Sequence, residues 1–170
     1  MDQPANHAAN HQPEDAELRV ATLELALGVE SALPGWVVRS VGELHRAWAG
    51  EVPAEVSQAA EVAGRRAADE VGAELRRMAD AGPDEQPTTP LGVIRDAVRF
   101  PTAVLREAGV PGVVRDAFDE RHFPHDQYGL TPRTFADVDP ALHEPGLRWG
   151  AARARSHLAR HGHKRTLGQG

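Results

Sequence analysis

The residues best equipped for chemistry are His122, His125, Asp126, His143 and Glu144, imidazoles and carboxylates gathered in one stretch. Both groups bind zinc and similar divalent ions, and three of them with a water would make an open, hydrolytic site. Asp119, Glu120 and Asp126, near His122, are also the raw material of general acid–base catalysis. The spacing argues against both readings. Pro124 keeps His122 and His125 off a common helical face, and no H-E-x-x-H or Glu-x-x-His pair occurs. Acids beside bases in a charged loop more often form ion pairs. There is no G-x-S-x-G elbow, P-loop or G-x-G-x-x-G turn, and the chain has no Cys. Thiolate catalysis, disulfides and Cys-based zinc sites are thereby excluded. We expect no metal, no cofactor and no catalytic residue. The alternative is a metal-dependent or acid–base enzyme using His122, His125, Asp126 and His143.

A second constellation points to binding. Arg153, His157, Arg160 and Lys164 fall at i, i+4, i+7 and i+11, one basic stripe on a helix, with Arg148 and Arg155 as a second row. Residues 1–144 carry 13 basic and 25 acidic residues, a net −12, whereas 145–170 carry six basic residues and no acid. A basic amphipathic helix can lie along phosphates or along an acidic protein surface. The acidic body, the lack of aromatics after Trp149 and the absence of a nucleic-acid motif favour a protein over a nucleic acid. The same charges could instead neutralise the chain's own body.

Residues 116–149, which contain the first of these groups, hold Phe118, Phe123, Tyr128, Phe135 and Trp149 together with Pro124, Pro132, Pro140 and Pro145. That much ring area is too costly to leave in water, so an ordered strap is expected on a helical support. It would present His122, His125, Asp126 and Arg133 outward, and with Arg121 and Tyr128 these are the expected binding residues of the segment.

The elements that must position these groups read as helices. Acids at Glu14 and Asp15 open a helix apolar on several sides, with Leu18, Ala21 and Leu25 on one face. Pro34 is expected to end it and start a second helix, on which His45 reads as a satisfied histidine and not a ligand. Pro53 opens what should be the longest helix, with a seam of Val52, Val56, Ala60, Ala63, Ala67, Val71, Leu75 and Met78 that ends at Gly82-Pro83. Such a seam suits self-association, but packing inside one subunit is the favoured reading. After a linker at 83–89, a helix from Leu91 should break or kink near Phe100 at Pro101, and a shorter piece should end at Gly109. Asp139-Pro140 reads as a cap and first turn stopped by Pro145. The final helix should start near Gly146, bury Leu147, Ala151, Ala154 and Leu158, and end at Gly162.

The expected architecture is all-α: a single-domain, irregular bundle of five to seven helices over 14–162, with a Pro-rich ordered loop before the C-terminal helix. A disordered arm (1–13) and a disordered basic tail (163–170) flank it. Apolar content of 41% and charged content of 26% suit a soluble fold, and no window approaches 18 continuous apolar residues. The opening residues lack the features of a signal peptide, so a cytoplasmic protein is expected. The pattern leaves the oligomeric state open. The reading that results is a small helical accessory or regulatory protein that binds a macromolecular partner through 116–149 and the basic C-terminal helix.

Overall fold

Pro34 does not end the first helix. The computed structural model describes residues 12–82, 90–111 and 133–166, and its first helix, α1, runs unbroken over Gln12–Ala49 with Pro34 inside. An interior proline forfeits a backbone hydrogen bond and clashes with the preceding turn, at a cost of about 3 kcal/mol. Around it Leu33, Trp36 and Val37 are all buried, and each such side chain is worth about 1.5–3 kcal/mol. Packing on both sides of the proline therefore outweighs the local penalty. Two expected helices are one, and α1 is the longest element.

Gly50, at φ +80°, ends α1 in the left-handed region, with its N–H donating to Arg46 O at 2.8 Å. His45 is buried in this turn, its Nδ1 2.7 Å from Glu51 O and its ring edge-on to Trp48. The chain then reverses into α2, Ala54–Asp80. Ala60, Ala67, Val71, Leu75 and Met78 face the core as the seam predicts, with Val56 and Ala63 partly buried beside them. Gly64 and Gly72 complete the contact. A Cβ on Gly64 would lie 2.9 Å from Pro34 Cα and O, so the two backbones nearly touch at the proline. The antiparallel pair is fastened by Arg76 donating from Nε and Nη2 to both oxygens of Glu30, each at 2.9 Å, and by Arg19 to Asp80 at 3.1 Å.

Pro101 also sits inside a helix. After α3, Pro90–Asp96, the break comes at Ala97–Val98 and α4 spans Arg99–Glu107. Pro101 is the third residue of α4, where an N–H would have no intrahelical partner, so it forces no break at Phe100. Gly109, φ +78°, closes α4: its N–H donates to Arg106 O and that of Val110 to Leu105 O, the paired bonds of a Schellman end.

The last elements are α5, Arg133–Val138, a 3₁₀ turn, Pro140–Leu142, and α6, His143–Thr166. Asp139 caps the turn as expected, accepting from Ala141 N at 2.9 Å. Pro145 stops nothing, because it too is a third residue, of α6. The final helix begins at His143 instead of near Gly146 and continues past Gly162. Among the described residues four helices reach nine residues, fewer than the five to seven expected, because Pro34 and Pro145 are absorbed into α1 and α6. The all-α class stands: every regular element described is helical. No described helix is long and apolar enough to cross a membrane.

Candidate functional site

α6 is held down by one bulky face. Phe135 of α5 is fully buried and meets Trp149 edge-on at 5.7 Å. A Cβ on Gly146 would lie 2.4 Å from the Phe135 ring, so only glycine admits that approach. The buried row continues through Ala152 and Ser156. The expected row is elsewhere: Leu147 is 41% exposed and Leu158 67%, with Ala151 and Ala154 also exposed between them. Burying one Trp removes about 150–250 Å² from water, worth about 4–6 kcal/mol, which rivals two leucines that are only partly released. Polar contacts decide the rest. The Ser156 hydroxyl donates to Asp15 Oδ1 at 3.0 Å and Arg160 donates to Asp15 Oδ2 at 2.7 Å.

Three arginines of α6 thus meet acids of α1. Arg155 reaches both oxygens of Glu17, Arg160 pairs with Asp15, and Arg148 lies 3.8 Å from Glu24. The order of these pairs makes α1 and α6 antiparallel. α5 is tied to the same helix by Arg39, which donates to Val138 O at 3.2 Å.

The basic stripe is therefore divided. Arg160 faces inward, Arg153 lies over the Trp149 ring at 5.4 Å, His157 is exposed, and Lys164 belongs to the last turns of α6. What remains outward is an apolar row, Leu147, Ala151, Ala154 and Leu158, bordered by Arg153 and His157. The ion-pair seam runs along its other edge, and beyond the seam α1 exposes Val20 and Leu27. Spacing did reveal the row, but assigned it to the core. The acids Asp15, Glu17 and Glu24 were missed as partners, although the −12 against +6 charge split was a signal for them.

Of the other candidates, Arg133 is the first residue of α5, and Arg121, His122, His125, Asp126 and Tyr128 lie outside the described residues. His143 and Glu144 are exposed in the first turn of α6. Among the described residues no three His, Asp or Glu side chains are grouped to hold a metal. The described part of the 116–149 strap packs into the core through Phe135, Val138, Leu142 and Trp149.

A charged junction joins α2, α3 and α4. Glu70 accepts from Arg66 at 2.8 Å and from Arg99 at 3.0 Å, and Arg99 also reaches Asp96. The Arg66 and Arg99 guanidinium groups hold the Glu70 carboxyl below its ordinary range. Comparison with known families, curated proteins and solved structures returns no match.

Proposed function

We propose that this is a helical binding module, an accessory or regulatory protein, whose partner is an acidic amphipathic segment of another protein. The outward face of α6 receives it, together with the residues that precede that helix. The observation that carries the reading is the exposed row from Leu147 to Leu158 on a helix whose opposite face is fully packed. Apolar side chains in line, with a cation on one border, suit a partner helix with its own apolar stripe and acidic flank. Arg153 supplies the charge on that border, which favours encounter and register more than tightness.

A photo-crosslinking side chain at position 158, used in native extract, tests this against the same group at Ser31. A discrete product should form from 158 only, fade with added salt, and vanish in Leu147→Asp at unchanged melting temperature. Equal labelling from both positions, or a product indifferent to Leu147→Asp, overturns the reading.

A further inference from the structure

The groove between α2 and α4 is a second open surface, and it is polarised from end to end. Its volume is about 720 Å³, and Ala59, Val62, Ala63, Phe100, Ala103 and Val104 form its floor. Glu55 and Glu107 stand at one end. Arg66 and Arg99 stand at the other, bonded to Glu70 between them and, for Arg99, also to Asp96 just outside the groove. Val62 is 57% exposed in the middle.

Along α2 the outward residues Glu55, Ala59, Val62 and Arg66 follow at steps of four, three and four, so they form one stripe. That stripe is its own complement when reversed. An antiparallel copy related by a two-fold axis between Ala59 and Val62 sets Glu55 opposite Arg66 of the partner subunit. Ala59 then meets Val62 of the partner subunit, and both pairs recur on the other side of the axis. We propose that a second copy of this chain seats its α2 in the α2–α4 groove, forming an isologous two-fold dimer. Closed two-fold pairs require such self-complementarity, because the same patch serves both partners.

α4 reinforces the match. Its C-terminal Glu107 adds to the acidic end and its N-terminal Arg99 to the basic end, so each junction brings two acids against the arginine cluster. Ala59 and Ala103, both exposed and small, let the second helix approach within the 8–10 Å usual for packed helices. An uncharged floor with like charges at both ends would carry no such orientation; here the parallel arrangement places acid on acid and base on base.

Sedimentation equilibrium of the full chain is the test. The wild type should be a dimer. Val62→Glu should raise the dimer dissociation constant by about tenfold or more, and Glu55→Arg and Arg66→Glu singly should each weaken it too. The combined Glu55→Arg/Arg66→Glu chain should recover the dimer, since the reversed stripe is again its own complement. Melting curves check that each variant folds, and Glu55→Arg alone carries the test if Arg66→Glu does not, because Arg66 also binds Glu70. Leu158→Asp should leave the dimer unchanged, which separates this surface from the partner face of α6. A wild type that stays monomeric at about 100 µM overturns the proposal. So does a dimer indifferent to Val62→Glu, or a double variant as weak as the single ones.

Discussion

Gly64 and Gly72 of α2 both sit beneath α1, but one meets backbone and the other meets a side chain. Alanine in place of either glycine gains about 0.8–1.0 kcal/mol of helix propensity. At Gly64 the added Cβ falls 2.9 Å from the Pro34 Cα and O, which cannot move without separating the helices, and overpacking of this kind costs about 1–3 kcal/mol. At Gly72 it meets the Glu30 side chain, which can swing away at the expense of an exposed ion pair worth about 0–1 kcal/mol. Thermal unfolding should therefore show Gly64→Ala destabilised and Gly72→Ala close to wild type. Glu70 gives a pH counterpart. Its carboxyl is held low in the fold by Arg66 and then Arg99, so the folded chain binds fewer protons than the unfolded one. The stabilisation is complete above the ordinary glutamate range and is lost as pH falls through the lowered folded value. Denaturant unfolding of wild type and Glu70→Gln should differ slightly at neutral pH and converge in acid; a difference that grows on acidification would refute this account.

At the scale of elements, α6 depends on Asp15. Removing that carboxylate leaves the buried Ser156 hydroxyl and the inward Arg160 without their shared acceptor, and bonds to charged groups are worth about 1.5–3 kcal/mol. Asp15→Ala should speed hydrogen exchange in α6 while leaving α2 protected. Equal acceleration in both helices would mean that α6 is not separately held. The elements differ in how plainly the sequence announces them. The α2 seam was legible because small apolar residues repeat at helical steps opposite a charged face. The fate of Pro34 was not, because it turns on a glycine 30 positions later that brings a second backbone alongside. The face of α6 was misread for a related reason. Leu147 and Leu158 outrank Ala152 and Ser156 in hydrophobicity, yet Ser156 finds its acceptor 141 residues away. Of the candidate site, the basic helix and its apolar row were read correctly as a pattern and wrongly in orientation, and the histidine group at 122–125 lies outside the described residues.

At the scale of the molecule, the acidic body and the basic C-terminal stretch are one arrangement, in which α1 takes the arginines of α6 on one side and packs α2 on another. The face proposed for another protein and the groove proposed for a second copy lie on different helices, so such a dimer would display two partner sites. The antiparallel seam between α1 and α6 also has a meaning in time. A ribosome releases Asp15, Glu17 and Glu24 long before Arg148, Arg155 and Arg160 exist, so the seam cannot close until the C-terminal stretch has been made. A chain arrested before residue 148 would carry Asp15, Glu17 and Glu24 with none of the arginines that answer them in the complete fold.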